Sequence, residues 1–511
     1  MRGNKMTPNE AKEQLSKYRN LPFRPYQEEA VKYIFDSEKK FVFLEAPTGS
    51  GKSLIAMVAG QASGGVTYSV HSKMLQHQIT IDFPEAKSLF GRSNYPCVEA
   101  SDATCDECYH SKYTPCKSKK DCIYDLEKKI TLRSGLKILN YDYLLTECNY
   151  VGQFSGSPFN IVDEADNMEN TLINFVTLTF TSYSLGKLGI APFAQRLRQT
   201  SKDQAGLLEE WQNFASTAKI RAQGIIDHLT HKIGNSVDLF GEVPEQTQKD
   251  LKERTRVQRL MMKIKLFQDN VDETWVLDAD QEDKFIFRPL WMNEVLAEEF
   301  LWHHAKKWVL MSASFLPVHL ETKRLGIPME DVAYKCLPST FPIERRPIHV
   351  ESVANLTGKT MEAETPKLCV RIKEIVDTHP TVKGLIHGVS YKLSRDIMVR
   401  VNDKRLIIHD SNNRMDVLTE FVESKQPLVL VSPSMERGIS LEADLCRFII
   451  VAKAPFLYLG DKIVAKRVYS SKMGSEWYAA VMLTTVLQAT GRGMRSEDDF
   501  CENYILDEQF M

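Results

Sequence analysis

The sequence predicts an α/β protein made of two sheet-and-helix units, with two inserts interrupting the first. Three observations carry that expectation. First, an apolar run at residues 41–44 passes through the turn Ala46-Pro47-Thr48-Gly49-Ser50-Gly51-Lys52-Ser53 into an apolar helical stretch at 54–59. That order reads as buried strand, tight turn and helix. Second, short apolar runs ending in polar turn residues recur at 66–70, 138–139, 161–162 and 308–311, and again at 384–386, 428–431 and 448–451. Third, Trp211, Phe214, Ala218, Ile225, Leu229 and Ile233 recur at helical spacing between the two groups, as do Leu260, Ile264 and Phe267.

Length and composition bound the rest. At 511 residues the chain has room for three or four domains, taking about 150 residues for each. Its 43% hydrophobic and 26% charged residues are those of a globular protein rather than a disordered one. No apolar run approaches the ~20 residues of a membrane span, and the polar start Met1-Arg2-Gly3-Asn4-Lys5 lacks a signal-peptide core. The expectation is a cytoplasmic protein without a membrane partner. A net charge of −2 means that nucleic acid would have to be held by local basic patches rather than by an overall positive field.

The chemistry starts at the glycine-rich turn. Gly49 and Gly51 let it close so that successive backbone N–H groups and the start of the next helix cradle phosphate. Lys52 would reach the β- and γ-phosphates, and the Ser53 hydroxyl would ligate Mg²⁺. Upstream, Arg24 and Gln27 stand just before the strand, where a glutamine amide can pair with an adenine edge or remain a solvated polar group. After the strand at 66–70 come Ser72 and Lys73, candidate contacts to a nucleic-acid backbone at the carboxyl end of a strand. The run Ile161-Val162-Asp163-Glu164-Ala165-Asp166 puts adjacent carboxylates at a strand end. Asp163 would hold Mg²⁺, and Glu164 would orient and deprotonate the attacking water. Ser312 and Ser314 close another strand. In the second unit Arg492 and Arg495, three apart, are expected on one helix face as arginine fingers toward the γ-phosphate.

Five of the ten cysteines, Cys97, Cys105, Cys108, Cys116 and Cys122, fall in one lysine-rich, apolar-poor segment. In a reducing compartment such a cluster reads as a metal site. Bound metal would supply much of the folding energy of a segment with so little core. Spacing alone fits zinc in preference to an iron–sulfur cluster, with both open. Residues 249–265 carry Lys249, Lys252, Arg254, Arg256, Arg259, Lys263 and Lys265, which form either a DNA track or a solvated helix face.

Taken in chain order, Arg24 with Gln27 and the segments 46–53, 72–78, 163–166, 312–314, 384–390, 432–440 and 488–495 resemble the XPD/DinG branch of superfamily 2 helicases over nearly the whole chain. The cysteine cluster after Gly91-Arg92-Ser93-Asn94-Tyr95 is the most specific sign, and 496–499 and 507–510 resemble the family's ending. The resemblance implies two RecA-like motor domains with an Fe–S cluster insert and a mostly helical arch insert in the first. The corresponding boundaries are 1–94, 137–170 and 291–318 for the first motor domain, 95–136 for the cluster insert, 171–290 for the arch and 319–511 for the second motor domain. It implies ATP and Mg²⁺ as cofactors, with Gly438 in the ATP pocket and Gln488 among the catalytic residues. It also implies a [4Fe–4S] cluster on Cys97, Cys108, Cys116 and Cys122, with Cys108 taken over Cys105 because it is nearer the later pair.

The implied activity is an ATP-dependent 5′→3′ DNA helicase, monomeric, acting on single-stranded DNA, junctions or R-loops in repair, replication or recombination. The family usually has histidine where this chain has Asp166, so the motif reads like a DEAD box there, yet a DEAD-box RNA helicase would carry neither insert. Two other readings are a translocase or R-loop remodeller with little unwinding, and a zinc-bearing nucleic-acid-binding NTPase. Glu164 and Arg492 argue against the last, since both serve turnover rather than binding.

Overall fold

The computed structural model describes the chain except for residues 1–5, 48, 99–103, 108–117, 201–206, 235–244, 280–282, 411, 434–440, 442 and 495–497. Thr48, Cys108, Cys116, Gly438 and Arg495, named above as site candidates, lie outside the described residues.

The first lobe is a parallel sheet whose strands are short and buried on both faces, which is why they read as continuous apolar runs rather than alternating ones. Its strands are β1 (Phe41–Glu45), β2 (Val66–Val70), β3 (Lys87–Ser88), β4 (Leu136–Asn140) and β5 (Asn160–Asp163). An insert then supplies β6 (Leu178–Thr181), β7 (Trp275–Asp278) and β8 (Lys284–Pro289), after which β9 (Trp308–Ser312) and β10 (Val332–Cys336) return to the sheet. The order is β10-β1-β9-β5-β2-β4-β3, with every pair parallel. β1, β9, β5 and β2 are therefore central neighbours, and their carboxyl ends carry residues 46–53, 312–314, 163–166 and 72–73. In an open parallel sheet that edge is where ligands bind.

The second lobe repeats the plan with β11 (Ile348–Ala354), β12 (Gly384–His387), β13 (Leu406–Ile408), β14 (Val429–Ser432), β15 (Phe448–Val451) and β16 (Glu502–Asp507). The order is β11-β16-β15-β12-β14-β13, again all parallel.

Two expectations are corrected and one is extended. The boundary at 319 comes too early, because β10 pairs with β1 from Phe41↔Val332 to Glu45↔Cys336 and so belongs to the first lobe. The insert is mostly helical, as expected, and also carries a small sheet. Its two long helices, Leu207–Gly234 and Glu245–Asn270, pack on an antiparallel sheet of order β6-β8-β7. The period-two burial of Phe285, Phe287 and Pro289 along β8 is the strand signature that the helical pattern around it masks. Phe287 meets Phe267 at 4.9 Å and Trp211 at 5.5 Å, joining sheet and helices into one core. Finally, the basic run is not one solvated face. Lys263 lies over the Phe175 ring at 4.7 Å, and burial lowers its ammonium to about 8. Among the described residues no helix is long and apolar enough to cross a membrane.

Candidate nucleotide site between the lobes

The glycine-rich turn is closed by its two glycines, Gly49 at φ +82° and Gly51 at φ +76°, both in the left-handed region that glycine enters without cost. Close packing adds a second reason for glycine at each place. A Cβ on Gly51 would stand 2.3 Å from Gln27 Nε2, and one on Gly49 2.4 Å from Phe341 Cζ. The helix Lys52–Ala62 starts from Gly51, so its free N–H groups face into the turn. The Ser50 hydroxyl is buried with no hydrogen-bond partner, an unused polar group inside the turn. Lys52 Nζ donates to Ala46 O at 2.9 Å, folding the ammonium back across the turn. This geometry fits a phosphate chain.

Gln27 is turned toward the phosphate turn. Its Oε1 accepts from Arg24 N at 2.9 Å and its Nε2 donates to Ser50 O at 2.9 Å, while Arg24 Nη1 donates to Gly49 O at 3.0 Å. Both residues brace the phosphate turn from behind, and both ends of the amide are engaged.

Asp163 ends β5 and is buried. Its Oδ2 accepts from Tyr68 OH at 2.6 Å and its Oδ1 from Glu164 N at 3.0 Å. Burial raises the Asp163 carboxyl against the attraction of Lys52. The Ser53 hydroxyl neighbours the same phenol, so Tyr68 stands beside the two oxygen donors expected for magnesium. Hard oxygen ligands from one carboxylate and one hydroxyl, with phosphates supplying others, fit that ion, which would polarise the phosphates when bound. Glu164 is exposed and sits at φ +57°, a left-handed conformation uncommon for a side-chain-bearing residue. The turn sends Glu164 outward while its neighbour Asp163 stays inward. Asp166 completes the group, accepting from Ser312 Oγ at 3.0 Å.

The second lobe reaches the same place. Gln488 lies near the end of the helix Lys472–Thr490, and its Nε2 stands 3.3 Å from both Asp166 Oδ2 and Ser314 Oγ. Aspartate in place of histidine at 166 thus serves as a two-pronged acceptor joining Ser312 of the first lobe to Gln488 of the second. Arg492 is not on an α-helix as expected. The helix ends at Thr490, and Gly491–Gly493 form a 3₁₀ turn. His387, at the end of β12, faces Arg492. Burial, with that guanidinium, pushes the imidazole down to about 4.

The two residues expected to touch DNA are partly committed to structure. Ser72 Oγ accepts from Leu75 N at 3.2 Å and caps the helix Lys73–Asp82, while Lys73 Nζ donates to Asn94 Oδ1 at 2.8 Å. In the cysteine segment, Cys105 Sγ lies 3.9 Å from Cys122 Sγ. Among the described residues no group of three or more metal-ligating side chains comes together. The helix Ile123–Arg133 anchors this segment to the first lobe through Tyr124 OH···Tyr143 OH at 2.8 Å and Lys128–Glu147 at 2.5 Å.

Tyr68, Phe341 and His387 were not legible as site residues in the sequence. Tyr68 and His387 lie within apolar strands and read as core, and Phe341 lies in the segment joining the lobes. Only the folding of the sheets brings them to the cleft.

Two parallel sheets, a phosphate turn on one and a glutamine–arginine turn facing it from the other, define a two-lobed RecA-like P-loop protein. Known proteins agree. Residues 373–511 match the family "Helicase C-terminal domain". The chain is 20% identical over 595 residues to the ATP-dependent DNA helicase YoaA of Escherichia coli, spanning 95% of this chain and 92% of that one. It is 25% identical over 157 residues to the ATP-dependent DNA helicase CHL1 of Vanderwaltozyma polyspora, a match covering 27% of this chain and 19% of that protein's length. The fold superposes on S. tokodaii Xpd4 with a TM-score of 0.59 at 14% identity, covering 95% of this chain and 96% of that one. An XPD helicase structure superposes with a TM-score of 0.61 at 15% identity, covering 96% of each. Over nearly its whole length the chain is therefore similar to an ATP-dependent DNA helicase, and its last part matches a helicase C-terminal domain.

Proposed function

We propose that this protein is an ATP-dependent DNA helicase that moves 5′→3′ along single-stranded DNA and parts duplexes or R-loops ahead of it. The observation that carries the reading is the Asp166–Gln488–Ser314 contact, which joins the carboxylate motif of the first lobe to the arginine-bearing turn of the second. In this reading ATP lies in the cradle of Gly49–Ser53 with Lys52 on its outer phosphates. Glu164 takes the proton of the attacking water, and Arg492 meets the charge that develops on the transferred phosphoryl group. Hydrolysis loosens the contact between lobes, and each cycle steps the strand past Ser72 and Lys73. The resemblance to YoaA over nearly both full chains supports DNA as the track, and the family supports the direction.

Two duplexes with single-stranded tails of opposite polarity test the reading at fixed salt. The 5′-tailed duplex is expected to be unwound with ATP and the 3′-tailed one to stay closed. Preference for the 3′ tail would overturn the direction, and DNA-independent hydrolysis without unwinding of either would favour the binding-module alternative. Affinity for the tail should fall steeply with salt, because lysine and arginine contacts to phosphate release counterions.

The cysteine segment fits an iron–sulfur cluster through soft thiolate donors, and the 3.9 Å approach of Cys105 to Cys122 supports Cys105 as a ligand beside Cys97 and Cys122. That differs from the preference for Cys108 drawn from order along the chain. Cys105→Ser and Cys122→Ser are each expected to lose iron, measured by metal analysis and visible absorption of anaerobically purified protein, and to disorder the segment. Iron retained in Cys105→Ser and lost in Cys108→Ser would restore Cys108.

A further inference from the structure

Behind the nucleotide site lies a buried charge cluster that the chemistry above does not use. Glu169 stands three residues after Asp166, in the helix Met168–Val176 that leads from β5 into the insert. Its Oε2 accepts from Arg324 Nε at 2.8 Å and its Oε1 from Arg467 Nη2 at 2.6 Å. Arg324, on the helix Val318–Leu325 after β9, also donates to Asp166 O at 3.0 Å and to Glu321 Oε2 at 2.9 Å. Burial would raise the Glu169 carboxyl, but the guanidiniums of Arg467 and Arg324 outweigh it and hold the group below its ordinary range.

Arg467 comes from the other lobe. It sits on the helix Lys462–Ser470, which follows β15, and is itself buried. Its Nε donates to Leu290 O at 2.6 Å, at the point where the chain leaves the insert after β8. Its guanidinium lies over Trp291 at 4.2 Å and over Trp477 at 5.0 Å, two indoles that pack edge to face and hold it in their corner by cation–π contact. One side chain of the second lobe therefore touches both the entry of the insert, at Glu169, and its exit, at Leu290. A second tie lies nearby: Arg288 of β8 approaches Asp461, which caps the Arg467 helix, at 3.9 Å. A cleft of about 570 Å³ opens beside the cluster, lined by Asp166, Glu169, Arg288, Asp461, Arg467 and Thr485, and small apolar contacts flank it, Leu316 and Leu320 against Val468 and Trp477, and Leu290 against Ile463.

We propose that Arg467 is a positioning residue that couples movement of the second lobe to the insert, so that closing on nucleotide swings the arch through Glu169 and Leu290. The inference rests on the motor reading above. Glu169 is tied through Arg324 to the backbone of Asp166, whose carboxylate meets Gln488, so lobe position at the nucleotide and position of the insert are read by one buried cluster. Lysine is a poor replacement for Arg467, since the guanidinium reaches Leu290 O from Nε and Glu169 from Nη2, a spread of donors that a compact ammonium does not reproduce.

The test compares wild type, Arg467→Lys and the double variant Glu169→Met/Arg467→Met. The double variant removes the charges as a pair, and buried ion pairs replaced by apolar side chains of similar volume commonly keep their fold. Fluorescent labels at the exposed positions Ile220, in the insert, and Val399, in the second lobe, report their separation with and without a non-hydrolysable ATP analogue. In wild type the separation is expected to change on binding the analogue. In both variants the change is lost, strand separation per ATP falls by roughly 5–150-fold, and the KM for ATP stays within about threefold because the phosphate turn is untouched. Retention of the nucleotide-dependent change in the folded double variant overturns the proposal, as does its absence from wild type. A proportional fall in hydrolysis and unwinding would also overturn it, since that marks a merely structural role. A wild-type change that Arg467 controls, without any DNA unwinding, would retain the coupling and discard the helicase reading.

Discussion

Lys52→Ala is expected to abolish ATP hydrolysis while leaving single-stranded DNA binding intact. The phosphate turn is preorganised by Gly49, Gly51 and the bracing of Arg24 and Gln27, none of which depends on the lysine side chain. The fold should therefore survive, and what is lost is the charge meeting the outer phosphates. Removing one preorganised donor at the site of developing charge costs about 10²–10³-fold in kcat, and Lys52 also supports ATP binding. Glu164→Gln should separate the two contributions. It spares Asp163 and the Tyr68–Ser53 pair but removes the base, so ATP still binds while turnover falls by ~10²–10⁴-fold. Steady-state hydrolysis with DNA present, alongside nucleotide binding by a fluorescent analogue, checks both. Near-wild-type hydrolysis in either variant would show the site assignment to be wrong.

Arg492→Ala should lower kcat by about 10³-fold with little change in ATP affinity, the signature of a group acting on transition-state charge. The structure explains how its position is held. Arg492 is in the tight turn Gly491–Gly493, and a Cβ on Gly493 would lie 2.4 Å from Cys501 Sγ and 3.0 Å from Cys446 O. The turn is pressed onto the core of the second lobe, and Gln488 ties the preceding helix to Asp166 across the cleft. On the proposed reading, lobe closure rather than its own flexibility brings Arg492 to the phosphates. Single-turnover hydrolysis at saturating ATP measures the effect directly, and a change confined to KM would place Arg492 outside the cleft.

The carboxylate motif shows how far local pattern reaches. Two carboxylates after an apolar strand already lead to the expectation of Asp163 at a cation and Glu164 at water, and the glycine spacing at 49 and 51 to that of a phosphate cradle. These features are legible because each is a local requirement of strand, turn and helix start. Gln27 shows where local pattern stops. An amide ahead of the strand suits an adenine edge equally well on paper, but the close approach of Gly51 decides that it braces the turn.

By itself the sequence determined the two lobes, the order of their motifs and a mostly helical insert in the first, because buried parallel strands, glycine turns and helical spacing are written in short stretches of chain. The tertiary structure alone decided which distant residues meet. Strand order set β1, β9, β5 and β2 side by side, so that residues more than 250 positions apart share one edge. It moved β10 into the first lobe, because hydrogen bonding to β1 outweighs nearness in sequence to the second. It also buried Arg467 against Glu169, 298 positions away. A lone arginine in an amphipathic helix carries no local sign of its partner. Its charge is stable inside the protein only because packing brings a carboxylate, a carbonyl and two indole faces to it, and that requirement is met by the fold as a whole.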